Sequence, residues 1–271
     1  MTPHGLRPHA GPSGPPLDDM AGRRPNRPMR SRNWLPLLLA LTACRPSPPP
    51  PAPLVLWAWE RPEDLRFVKG RAEVAVESGS IVLDGAAVEA RGRRHPLLVA
   101  EPPTTSVVHV EIRRDRPLVW NAAMRAMTAA AILHYATRLP ARRVQVDFEV
   151  RASERAILLD VLGDVRRALP RATVLSMTAL ASWCGEDWLG RAPVDEVVPM
   201  LFRMGRRGET VRAMLAEGGD LRHDRCRGAL GVAVGTPVPR APAGRRVYLF
   251  DPRSWTPRDF AAAEREVRRW R

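Results

Sequence analysis

The chain has 271 residues, 45% of them hydrophobic and 6% aromatic, with 43 Lys and Arg against 29 Asp and Glu for a net charge of +14. That is enough for one sizeable single-core domain. The charge invites a nucleic-acid reading, but the basic residues are scattered rather than striped. No helix-turn-helix, RRM or zinc-finger pattern accompanies them, so a solvated basic surface is expected and no nucleic-acid partner. Lys69 is the only lysine.

Residues 1–28 are rich in Pro, Gly and Arg and show no apolar period. "MRSRNWLPLLLALTAC" follows: a basic flank, a short apolar run from Trp34 to Leu41, and small residues before Cys44. This is the layout of a secretory signal. The run is too short for a membrane span, which needs about 20 apolar residues. "LTAC" resembles a bacterial lipobox, which implies Cys44 as the acylated residue. The expectation is a leader over 1–43, then an exported protein held in the cell envelope by lipid at Cys44. Arg45 rather than Asp after the cysteine leans toward an outer membrane. Met20 and Met29 are alternative starts. "RPSPPPPAP" in the segment 44–53 reads as a proline-rich, extended tether, and 54–271 as a single domain.

The domain opens on a strand, "LVLWAWE" (54–60), and "RPEDLRFV" reads as one or two helical turns. Residues 72–91 are β-rich with Ser-Gly and Asp-Gly turn signals, and "SVVHVEI" (106–112) is a strand. Residues 121–139 form the clearest helix, capped by Asn121 and stopped by Pro140. "VQVDFEV" (144–150) is a strand. Residues 153–169 are an amphipathic helix capped by Ser153. Strands are expected at 173–180, 196–202, 229–235 and 245–251, with a short helix in "GETVRAMLAEG". A closing helix follows, capped by Thr256. Strand–helix alternation argues for a parallel sheet covered by helices. About eight strands without a Gly-rich phosphate loop after the first favour a compact α/β (β/α)8 TIM-like barrel over an open doubly wound sheet, with some helices reduced or missing.

In such a barrel, functional groups gather at the C-terminal ends of the strands. That rule collects Trp57, Trp59 and Glu60 after the first strand, and Asp147 and Glu149 at the fourth. It adds Trp183, Asp187 and Trp188 after the fifth, Met200, Phe202 and Arg203 at the sixth, and Trp255 beyond the last. Asp147 and Glu149 stand two residues apart, so they share a strand face. Close carboxylates do not readily both ionise, which can keep a proton for donation. The opposing reading is a pair of acids satisfied by arginines, with Arg203, Arg151 and Arg155 as candidates. Aromatic rings and acids at one mouth suit a carbohydrate. With Cys44 lipidated, Cys184 and Cys226 remain as a possible disulfide pair in an oxidising compartment. There is no zinc spacing, Walker loop, Rossmann fingerprint or G-x-S-x-G elbow, so no metal or cofactor is expected. His109 lies within a strand and reads as a core histidine.

"LVLWAWERPEDLRF", "VQVDFEVRASER", "LSMTALASWC", "PVDEVVPMLFRMG" and "RVYLFDPRSW" together resemble bacterial domain-of-unknown-function family 3142, a family of exported proteins without an established activity. The resemblance covers most of 54–255. A remoter similarity links "QVDFE" to chitinase-type glycoside hydrolase barrels, whose fourth strand ends in Asp-x-Asp-x-Glu. It implies Glu149 as general acid and Asp147 as its tuner, with Trp57, Trp59, Trp183 and Trp255 as sugar platforms. The sequence departs from that pattern. Gln145 replaces the earlier Asp, Arg142-Arg143 replace Asp-Gly, and Met200-Leu201-Phe202-Arg203 replaces Met-x-Tyr-Asp. Two functions are therefore expected: a glycoside hydrolase-like lipoprotein acting on or binding a glycan, or a non-catalytic envelope lipoprotein that binds a glycan or a protein.

Overall fold

The computed structural model describes residues 53–238 and 241–269. The leader, Cys44 and nearly all of the tether lie outside the described residues, and with them the export and lipid-anchor expectations. Among the described residues no helix is long and apolar enough to cross a membrane.

Eight parallel strands follow one another around the sheet in chain order. They are β1 (Leu54–Ala58), β2 (Glu73–Asp84), β3 (Thr105–Ile112), β4 (Arg143–Glu149), β5 (Val174–Leu180), β6 (Glu196–Met200), β7 (Ala229–Ala233) and β8 (Arg246–Phe250). Because β1 pairs with both β2 and β8, the sheet closes into a barrel. Closure leaves these strands no free edge.

Among the described residues four α-helices pack outside. They are α1 (Ala122–Ala136) between β3 and β4, α2 (Arg155–Ala168) between β4 and β5, α3 (Gly208–Ala216) between β6 and β7, and α4 (Pro257–Arg268) after β8. The remaining connections are loops, 3-10 turns and a hairpin, so the helical ring is half filled. Asn121 caps α1 by accepting from the Met124 N–H, and Thr256 caps α4 by accepting from the Asp259 N–H. Ser153 does not cap α2. It lies in a 3-10 turn at Ala152–Glu154, whose free end is satisfied when the Arg151 N–H donates to Glu154 Oε2 at 2.7 Å. "RPEDLRFV" forms a two-residue strand and a single 3-10 turn at Arg66–Val68. Cys184 and Cys226 form a disulfide that ties the turn after β5 to the segment before β7.

Alternation along each strand sends one set of side chains to the helices and the other into the barrel. On β4, Val144, Val146 and Phe148 join the outer core, while Gln145, Asp147 and Glu149 face inward. The even strands fill the interior in layers, as parallel barrels do. Arg143, Glu196 and Arg246, with Glu73, form the floor. Ala75, Gln145, Val198 and Tyr248 come next, and Glu77, Asp147, Met200 and Phe250 reach the mouth. Trp57 of β1 plugs the centre. It is 1% exposed, stacks on Tyr248 with centroids 5.0 Å apart, and donates its Nε1–H to Gln145 Oε1 at 2.7 Å. A Cβ at Gly231 would stand 2.9 Å from the Trp57 ring, so glycine on β7 makes room for the plug.

A register shift in β2 between Glu77 and Gly79 changes which residues face inward. Glu77 ends the inward set. Gly79 faces outward against Tyr135 of α1, where a Cβ would stand 2.4 Å from the ring. Beyond the shift β2 continues as a hairpin with the strand Ala87–Gly92, turning at Asp84-Gly85, where Gly85 has φ +59°.

Candidate functional site

The mouth at the C-terminal strand ends holds a two-lobed cleft. The larger lobe has a volume of about 510 Å³, with Trp57 and Met200 beneath it and Trp59, Phe202 and Phe250 among its walls. The smaller lobe has about 360 Å³ and is lined by Val150, Leu180, Trp183 and three arginines, Arg114, Arg151 and Arg203. Asp147, Glu149, Thr178, Met200 and Arg203 belong to both lobes. Together the lobes are the size of a small-molecule site.

Three adjacent strands supply the charged row in the larger lobe. Glu77 comes from β2, His109 from β3 and Asp147 from β4, where β3 and β4 pair His109 directly with Asp147. His109 Nδ1 lies 2.9 Å from Asp147 Oδ2, and the Thr178 hydroxyl donates to the other oxygen. Burial by itself would lower the His109 pKa. The Asp147 hydrogen bond and charge, helped by Glu77 and Glu149, outweigh it and hold the value at about 9. His109 is therefore an imidazolium at neutral pH. Burial would likewise raise Asp147, but the His109 hydrogen bond and charge, the Thr178 hydroxyl and Arg203 keep it below the usual carboxylate value. Glu77 goes the other way. Burial raises its pKa, against the Glu60 N–H that donates to it at 2.9 Å and the nearby His109 charge.

Glu149 is paired with Arg203, and its backbone carbonyl accepts from Arg114 at 3.1 Å. Both partners of the pair are open to the cleft, with side chains 42% and 52% exposed. The hydrogen bond to Glu149 raises the Arg203 pKa further. A carboxylate committed to a guanidinium is an acceptor, whereas a general acid has to bring a proton. Of the other two candidate arginines, Arg151 pairs with neither acid and Arg155 is engaged elsewhere. It pairs with Glu186 at 2.6 Å and stacks over Trp188 at 4.9 Å.

The structure brings together Trp57, Trp59, Asp147, Glu149, Trp183, Met200 and Arg203. The expected aromatic platforms divide. Trp57 is the barrel plug, with both its ring and its N–H occupied. Trp255 is 4% exposed and packs in the outer core, donating its Nε1–H to the Trp57 carbonyl at 3.0 Å. Neither offers a free face to a sugar. Trp183 is 6% exposed and edge-on to Trp188, so it forms a wall of the smaller lobe. Trp59 is half-buried in the larger lobe, edge-on to His109 and Phe250. Phe202 and Phe250 stack with centroids 5.3 Å apart. Glu60 lies outside both lobes and braces a loop by accepting from the Arg94 and His95 N–H groups at 2.8 and 3.0 Å. Asp187 is also outside, on the surface, paired with Arg222 at 2.8 Å.

Glu77, Thr178 and Phe250 are site residues that the sequence does not single out, and His109, expected as a core histidine, lines the larger lobe instead. The signal for His109 was its position: it shares the inward parity of Val107 near the end of the third strand. Among the described residues no three or more His, Cys, Asp or Glu side chains are placed to hold a metal ion. Comparison with family models, curated proteins and solved structures gives no match.

Proposed function

We propose that this protein is a glycan-binding barrel of the cell envelope, lipid-anchored through Cys44. Its two-lobed mouth is the sugar site. On this reading it is related to domain family 3142 and, remotely, to the (β/α)8 barrels of chitinase-type glycoside hydrolases, keeping their architecture and a glutamate at the acid position but not the groups that serve that acid. One observation carries the reading. Two of the three mouth acids are charge-compensated, Glu149 by Arg203 in the open cleft and the buried Asp147 by His109, beside aromatic walls. Such carboxylates accept hydrogen bonds from hydroxyls, and Trp59, Phe202 and Phe250 give apolar ring surface beside them. Gln145 fits the same picture. Where a chitinase keeps its earlier Asp, this side chain is spent on Trp57 and on Ser176, to which it donates at 3.1 Å.

The test is a panel of soluble oligosaccharides presented to the purified protein, read for retention and for cleavage. Retention without turnover is expected, with Trp59→Ala weakening it about tenfold, the equivalent of 1.4 kcal/mol. Absence of retention across the panel defeats the reading. Cleavage that disappears in Glu149→Gln replaces it with a hydrolase. A second reading has one observation in its favour: Glu77 is the mouth carboxyl whose burial favours the protonated form. Cleavage lost in Glu77→Gln but kept in Glu149→Gln makes Glu77 the acid. The anchor is tested by metabolic acyl labelling, where equal incorporation into wild type and Cys44→Ala removes it.

A further inference from the structure

The two lobes differ in what their charges leave over. In the larger lobe Arg61 pairs with Glu63 at 2.9 Å, and His109 is matched by Asp147. In the smaller lobe Arg114 pairs with Glu154, and Arg203 with Glu149. Arg151 is the exception. It lines the smaller lobe and is exposed, and among the described residues no carboxylate lies within ion-pair reach of its side chain. Its backbone is fixed by the hydrogen bond to Glu154, so the guanidinium starts from a defined point on the rim. The rest of that lobe is mainly apolar, with Leu180, Val150 and Trp183 facing the space.

A guanidinium at the edge of an apolar recess has one strong complement: a planar or tetrahedral oxyanion that takes two parallel N–H donors. The long-range field agrees, since residues 44–271 without the leader still carry a net charge of about +10, which draws anions toward the clefts. We propose that the ligand is an acidic glycan, with its anionic group held at the rim of the smaller lobe by Arg151. A neighbouring ring lies against Trp59 and Phe250 in the larger lobe. Glu149, exposed where the two lobes meet, then takes hydroxyls at the junction rather than the anionic group, which like charge keeps away from Glu149 and from Asp147 beneath it. The inference rests on the glycan-binding reading above and adds the chemical class of the sugar.

The experiment compares three forms of one oligosaccharide: bearing uronic acid carboxylates, carboxyl-reduced to the neutral sugar, and sulfated. Affinities for the full-length protein are measured by calorimetry at low and at moderate salt, for wild type and Arg151→Gln. The acidic form is expected to bind at least tenfold tighter than the reduced form, with the advantage shrinking as salt rises. Arg151→Gln brings the acidic form down to the level of its reduced counterpart. Arg151 is exposed and unpaired, so the variant should fold, which its circular dichroism checks. Equal affinity for acidic and reduced forms overturns this inference while leaving glycan binding standing. An advantage that survives Arg151→Gln also overturns it. Binding of none of the three defeats the glycan reading itself. A preference for the sulfated over the carboxylated form keeps the anionic class and assigns the group as a sulfate ester.

Discussion

The barrel is charged at both ends of its interior, and the two ends are built oppositely. At the floor, Glu196 is one acceptor for many donors. It receives the Ser176 and Tyr248 hydroxyls at 2.9 Å each and pairs with Arg143 at 3.1 Å, with Arg246 at 3.8 Å. Arg246 also binds Glu73, which takes the Thr104 hydroxyl as well. The floor network therefore joins β2, β4, β5, β6 and β8, and it closes the barrel. At the mouth the same residue types come in separate pairs, His109 with Asp147 and Arg203 with Glu149, spaced around an open cleft. A buried network whose members are all satisfied makes one arrangement unique. Isolated pairs at an opening leave lone pairs and N–H groups for something else to use. The charged layer at the floor holds the fold, and the one at the mouth is available to a ligand.

Removing one acid from each end tests this most sharply. Glu196 is 12% exposed, and Glu196→Ala leaves Arg143 and Arg246 inside the barrel without their shared partner. Breaking a buried pair from one side typically costs about 3–5 kcal/mol. Glu149→Gln removes a pair whose members are about half exposed, and such pairs contribute roughly 0–1 kcal/mol. Urea unfolding should therefore separate the two variants by several kcal/mol, with oligosaccharide retention falling only in Glu149→Gln. Equal losses of stability would mean that the mouth is as structural as the floor.

The barrel was legible because the strands other than β2 are short, apolar and punctuated, and because no glycine-rich loop follows β1. The half-filled helical ring was legible too, since helical period is absent from 185–195 and 236–245. The mouth acids were legible from their spacing on a strand with a clear inward face. What stayed hidden depends on three-dimensional pairing. Trp57 looked like a platform because nothing in the sequence shows that Gln145 and Tyr248, 88 and 191 positions away, hold it in the barrel centre. Glu77 was concealed by the register shift after it, which makes "AVESGSIVL" alternate one way and then the other. His109 read as a core residue because its partner, Asp147, meets it only once β3 and β4 are in register.

That pair also supplies the graded version of the same comparison, through pH. The His109 pKa stands at about 9 in the folded protein, against 6.5 for the free side chain. A group raised on folding contributes its full stabilisation below its unfolded value and loses it as pH rises through its folded one. The contribution of His109 should therefore be complete below about pH 6.5 and fade up to about pH 9, by at most roughly 3 kcal/mol at 1.36 kcal/mol per unit. Asp147 acts at the opposite limit. Held below its usual value, it contributes above about pH 4 and loses this only in stronger acid. On the alkaline side, burial beside Glu196 pushes the Tyr248 phenol well above its ordinary range and so keeps it out of this window. Urea midpoints between pH 6 and 10 should fall for wild type and stay nearly flat for His109→Gln, which starts lower. A wild-type profile that is flat across this window would place His109 outside the charged row and leave the mouth acids dependent on Arg203 alone.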